Sequence, residues 1–204
     1  MIKTSLVCLL TICAFTATSQ AQARYVGIPR AEMEYFASAQ RASQWCWAAS
    51  IQMILNHAKV DITQEQIVRR TYGVDPAGRL PDWTGDFRAI TANLNNWSID
   101  NRGKKYVVRA IVGIGPPAPA VLLEELSNGR AVMIGYATGP DSGHAAIVTG
   151  ASYIPTPQGP AIQSLILRDP FPTRKNIRNS GRVEVPGADL AASIRHHWII
   201  RVNH

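Results

Sequence analysis

The hydrophobic pattern changes its period part-way along the chain, and that change restricts the fold more than any other feature. From Ser43 to about His57 the run SQWCWAASIQMILNH places Trp47, Ile51, Ile54 and Leu55 at three- and four-residue steps, the spacing of one helix face. Ser43 is the expected N-cap, which sets Cys46 in the first turn. A second helix is expected from about Thr63 to Tyr72, stopped at Gly73, and a third from Asp82 to Asn96. Beyond them the pattern turns strand-like at Tyr106–Val112, Ala131–Ala137, Ala145–Ala151, Ile162–Arg168, Gly181–Val185 and His197–Val202, between clusters of Gly, Pro, Asn and Asp. One short helix, Ala118–Ser127, interrupts them and ends at Asn128-Gly129. Helices first and strands afterwards predict an α+β domain. An N-terminal helical half should pack on a C-terminal antiparallel β-sheet, with the natural cleft at their interface.

The first residues read differently. Lys3 precedes an apolar run from about Leu6 to Ala17, and Ala21-Gln22-Ala23 closes the segment in the small-x-small pattern of a cleavage site. Residues 1–23 are therefore expected to be a secretory signal peptide, with the folded domain over 24–204 and a secreted or periplasmic destination. The run is too short for a comfortable membrane span, and no other segment is long and apolar enough for one, so no membrane association is expected after cleavage. Lys3 is the only charge in the segment, so the rest stays close to the +7 of the whole chain. Its basic residues are scattered, with Arg69-Arg70, Lys104-Lys105 and the 168–182 region the densest. No nucleic-acid motif stands behind them, and no nucleic-acid partner is expected.

Of three cysteines, Cys8 and Cys13 fall in the leader, which leaves Cys46 alone. A lone cysteine in an exported chain cannot form an internal disulfide. It is either a packing residue or a thiol with a task. At a helix N-terminus, unpaired N–H groups and the positive dipole end would stabilise a thiolate, the nucleophilic form. Five histidines are candidates for its base. His57 is about 16 Å away by helical rise. His204 is terminal and expected to be mobile, and His196 and His197 abut an edge of the last strand. His144 instead follows the turn Asp141-Ser142-Gly143 and opens a core strand. Asp169, where a strand ends before Pro170, could orient an imidazole and stabilise its charged form. A glutamine ahead of the cysteine, Gln40 or its rival Gln44, could supply an oxyanion donor beside the Cys46 N–H.

In this order the segments resemble those of compact bacterial papain-like cysteine peptidases of the C39 and C70 type. QRASQWCWAAS resembles their nucleophile segment, SGHAAIVTG their histidine strand and LRDPFP their aspartate strand. The resemblance implies a papain-like fold with Gln40 as oxyanion donor, Cys46 as nucleophile, His144 as base and Asp169 as orienter. It implies a protein or peptide substrate and neither metal nor cofactor. Asp169 stands where the larger papain enzymes use Asn, and the short stretch before Cys46 is expected to leave no room for an inhibitory pro-domain. With no transporter attached, the leader-cleaving role of transporter-linked relatives is not expected to carry over. Substrate-binding candidates are Trp45, Trp47 and Gly143, with Trp83, Trp97 and Tyr136 as further cleft walls. Oligomeric state is unreadable. Amidase or acyl-transfer chemistry on cell-wall peptides, or a papain-like effector or binding protein with little proteolysis, stand as alternatives.

Overall fold

A computed structural model describes residues 22–174 and 176–204, so the expected leader lies almost wholly outside the described residues. In chain order the elements are β1 (Arg24–Gly27), α1 (Arg30–Phe36), α2 (Cys46–His57), α3 (Gln64–Tyr72), α4 (Phe87–Asn93), β2 (Trp97–Ile99), β3 (Lys105–Ile114) and α5 (Pro119–Ser127). There follow β4 (Val132–Ala137), β5 (Gly143–Thr156), β6 (Gly159–Arg168), a 3-10 turn (Ile177–Asn179), β7 (Arg182–Pro186), α6 (Gly187–Ser193) and β8 (Ile194–Asn203). The strands form one antiparallel sheet in the order β2-β3-β8-β4-β5-β6-β7, and β1 pairs with the far half of β5. The α+β class and the antiparallel sheet agree with the sequence reading.

The sheet is covered on both faces, where the sequence suggested one. On one side α1 to α4 pack through Trp47, Ile51 and Leu55 onto Met133, Ile147, Trp198 and Ile200. On the other, α5 and α6 bring Leu122, Leu126 and Leu190 onto Val132, Ile134, Val148 and Leu165. Neighbouring strand residues point to opposite faces, so Ile147 and Val148 serve different cores. The run AAIVTGA is apolar at both parities because both faces are buried. Each buried Val, Leu or Ile contributes about 1.5–3 kcal/mol.

Several boundaries move, for identifiable reasons. α2 begins at Cys46 with Trp45 in the cap position and no side-chain cap. Ser43, the expected cap, instead donates its hydroxyl to Asp82 Oδ2 at 2.7 Å. The same carboxylate accepts the N–H groups of Ser43 and Gln44, at 3.2 and 2.8 Å. Asp82 is thus no helix start. The third helix is only Phe87–Asn93, N-capped by Asp86, whose Oδ1 accepts Ala89 N–H at 2.7 Å. Residues 81–86 pass over Trp47 instead. A Cβ on Gly85 would lie 2.5 Å from its indole ring, so only glycine permits the approach. α3 keeps its expected end at Gly73 and carries a Thr63–Gln66 capping box.

The last strand starts at Ile194 and lies between β3 and β4, so His196 and His197 sit inside the sheet and not at a strand edge. His204, expected to be mobile, places Nε2 2.8 Å from the Ala58 carbonyl. Removing the Asp82 carboxylate strips the turn before α2 of three hydrogen bonds. Asp82→Ala should therefore lower stability by about 1 kcal/mol, the usual cost of a lost cap, in urea denaturation.

Candidate active site

The packing of α2 across β5 brings a helix N-terminus to the start of a strand. Cys46 is the first residue of α2, and His144 is the second of β5. In the first turn of α2, the N–H groups of Cys46, Trp47 and Ala48 have no intrahelical acceptor. Asp169 directly follows the last residue of β6, the partner strand of β5.

The structure brings these three residues together. His144 Nε2 lies 2.7 Å from Asp169 Oδ1, with both side chains largely buried, at 14% and 19% exposure. With that ring nitrogen engaged, Nδ1 is the one left for the thiol. Burial by itself would lower the His144 pKa. Hydrogen bonds to Asp169 and to Cys46, with their negative charges, outweigh it and raise the value to about 9. The site therefore favours an imidazolium at neutral pH. Tyr136, the register partner of His144, meets its ring edge-on at 5.6 Å between centroids, and Phe171 flanks it at 6.4 Å. Burial, then the charges of Asp169 and Cys46, push the Tyr136 hydroxyl well above its ordinary value, so it remains a neutral phenol.

Asp169 is positioned by backbone. Its Oδ1 also accepts Phe171 N–H at 2.8 Å, and its own N–H donates to the Gly181 carbonyl at 2.8 Å. Gly181 has φ +75°, and a Cβ there would run into the Asp169 carbonyl, so both conformation and space require glycine. Next to it, the Arg168 guanidinium is buried and donates to the carbonyls of Arg30, Asn179 and Ser180. A buried cation spent on main-chain carbonyls fixes the loop that carries the aspartate.

Gln40 takes a different place from the one expected. Its Nε2 donates to the carbonyls of Ala42 at 2.9 Å and Ser43 at 2.8 Å, closing the turn before α2. Its Oε1 is buried without a partner, and the residue does not line the cleft at Cys46. The Gln40 N–H donates to the Pro170 carbonyl at 2.8 Å, tying the cysteine and aspartate segments together. Below it, the fully buried Gln64 amide bonds Ser38, the Ala39 carbonyl and Gln52, and its oxygen accepts Arg41 N–H. Gln44 is exposed, and its N–H is held by Asp82.

The cleft at Cys46 and His144 has a volume of about 140 Å³. Of the candidates, Trp47, Gly143 and Tyr136 line it. Trp45 does not: it is buried in the core, its indole N–H donating to the Pro81 carbonyl. Trp83 and Trp97 also lie outside it. Thr84, Gly85, Ile90 and Ala145 also line it, as do Phe87, Gly135, Arg195, His196 and Trp198. None of the last five was legible in the sequence, because α4 and the central placement of β8 are needed to bring them there. His57, set aside as a base, pairs with Glu32 at 2.8 Å. Among the described residues, no group of three or more His, Cys, Asp or Glu side chains could hold a metal ion.

Comparison with known proteins matches this arrangement to one family. Residues 32–185 fit the family model described as the Peptidase_C39 like family. Among solved structures, the chain is similar to the peptidase domain of Streptococcus ComA, a bi-functional ABC transporter involved in a quorum-sensing pathway. The match has 12% identity and a TM-score of 0.47, and covers 80% of this chain and 95% of that one. No curated protein matches the sequence. The family match spans Cys46, His144 and Asp169 alike, and the chain belongs to the Peptidase_C39 like family of cysteine peptidases.

Proposed function

We propose that this cysteine peptidase is exported and hydrolyses peptide bonds through Cys46, His144 and Asp169. The observation that carries the reading is the His144 imidazole, held by Asp169 on one nitrogen and facing Cys46 with the other. Export rests on the leader-like pattern of residues 1–23.

The chemistry follows from the geometry. The Cys46 thiol gives its proton to His144, and the thiolate attacks the peptide carbonyl carbon, forming the S–C bond. Negative charge moves to the carbonyl oxygen, beside the Cys46 N–H at the head of α2. Collapse breaks the C–N bond, and His144 hands the proton to the leaving amine. Water, activated by the now neutral His144, attacks the thioester. The products are the acid and the free thiol. Asp169 holds the ring in the tautomer this sequence needs and stabilises its cationic form. Gln40 is the second oxyanion donor in this reading, one amide proton leaving its backbone carbonyl as the oxyanion forms.

Three outcomes test the assignment. Cys46→Ala should abolish cleavage of an unfolded protein substrate, by at least about 10³-fold, while circular dichroism stays that of the wild type.

The pH profile follows from His144. Its pKa is raised from 6.5 to about 9, so kcat/KM should fall on the alkaline side with an apparent value near 9. Asp169→Asn should move that limb towards lower pH. The same shift stabilises the fold: the contribution is complete below 6.5 and is lost as pH rises through about 9. The wild type's stability advantage over Asp169→Asn should therefore shrink across that window in urea titrations.

Gln40→Ala should lower kcat by about 10²-fold with little change in KM, the signature of a lost oxyanion donor. A loss of stability with kcat kept would assign Gln40 to the turn alone.

A further inference from the structure

The cleft beside Cys46 owes its depth to two small residues. His196, Gly135 and Ala145 stand side by side on β8, β4 and β5, since Gly135 is the register partner of both others. Residues paired in this way share a face of the sheet. Two of the three carry little or no side chain, so the sheet is bare immediately beside His144. Phe87 and Trp198, with ring centroids 6.0 Å apart, wall the space. The whole cleft, with the space at Cys46 and His144, is about 140 Å³, comparable with an apolar cavity of about 150 Å³ that holds a benzene ring.

The charges around this space are one-sided. No lining residue is an aspartate or glutamate. Arg195 is present, its guanidinium donating to the Pro140 carbonyl at 3.3 Å. His196 lies tilted against Phe87 at 4.5 Å between centroids. Burial, then the neighbouring Arg195 and His197, hold its pKa below the ordinary value, so at neutral pH it acts as an uncharged aromatic plate.

We infer that this pocket takes one substrate side chain within two residues of the scissile bond, prefers a branched aliphatic or single-ring aromatic group to a small one, rejects lysine and arginine, and has its depth set by Gly135. The inference rests on Cys46 acting as the peptidase nucleophile. Filling the pocket removes apolar surface from water, and a single methylene in such a site separates substrates by about tenfold or more. A lysine placed there would lose its hydration beside a fixed cation with no carboxylate to pair it. A Cβ on Gly135 would meet the Trp198 ring at 3.4 Å, an ordinary contact, so alanine fits and valine occupies the space.

The test is a fluorogenic peptide library varied at two positions on each side of the cleaved bond. It is read with the wild type, Gly135→Ala and Gly135→Val. Circular dichroism checks that each variant is folded, and alkylation of Cys46 by iodoacetamide that its thiol is open. At one position the wild type should prefer Leu, Val or Phe to Gly or Ala by at least about tenfold, with Lys and Arg the poorest. That preference should shrink in Gly135→Ala and reverse in Gly135→Val. Should Gly135→Val not fold, the wild-type profile and Gly135→Ala still decide. A wild type that cleaves but prefers Gly or Ala at every position, or takes Lys as readily as Leu at each, overturns this inference and leaves the peptidase reading intact. Failure to cleave any member of the library overturns both.

Discussion

The contact on which the rest of the structure depends is the packing of α2 across β5. Trp47, Ile51 and Leu55 on the helix share one apolar core with Ile147 on the strand. That burial fixes where each element begins. The N-terminus of α2 and the first residues of β5 come to the same end of the interface, and there the thiol meets the imidazole. β6 then pairs with β5 and ends at Arg168, which delivers Asp169 to the far side of the ring. Three residues far apart in sequence converge because one helix and two strands share a core, not because any of them attracts another.

The three residues that converge were legible because each sits at an element boundary with its own local signal. Cys46 precedes a helical period, His144 follows a Gly turn, and Asp169 stands before a proline. Boundaries that depend on distant partners were not legible. Ser43 has the composition of an N-cap, yet Asp82 claims it from 39 residues away. The expected helix from Asp82 is shortened because Gly85 lies against Trp47, a contact that no local propensity encodes. Likewise, the sequence suggested one covered face, because the second cover depends on where α5 and α6 fall, although β5 carries apolar residues of both parities. His196 was hidden for the same reason: its neighbours Phe87 and Gly135 come from a helix and a strand paired through the sheet.

Electrostatics and packing pull against each other at His144. Enclosure by Tyr136 and Phe171 removes water, which alone would favour the neutral ring. The same enclosure strengthens the bond to Asp169, because a charge pair gains where water is excluded. The second effect wins here, and the cationic ring is the favoured form. The walls that shape the cleft thus also set the charge of the ring that faces Cys46.

Gln40 shows where this arrangement is least comfortable. One amide has two N–H protons and cannot serve two backbone carbonyls and a developing oxyanion at once. In the resting structure the carbonyls of Ala42 and Ser43 win, and Oε1 is left buried without a partner. An unsatisfied buried acceptor costs about 1–3 kcal/mol. Folding tolerates it because the Gln64 amide and the Pro170 carbonyl pin the segment from both sides. A negative oxygen is a stronger acceptor than a carbonyl, so the exchange favours the oxyanion only once the S–C bond has formed. Ser50 Oγ and Arg168 Nε are buried without partners as well, so the role proposed for Gln40 rests on its place six residues before Cys46 and on the two amide protons it holds in the turn before α2.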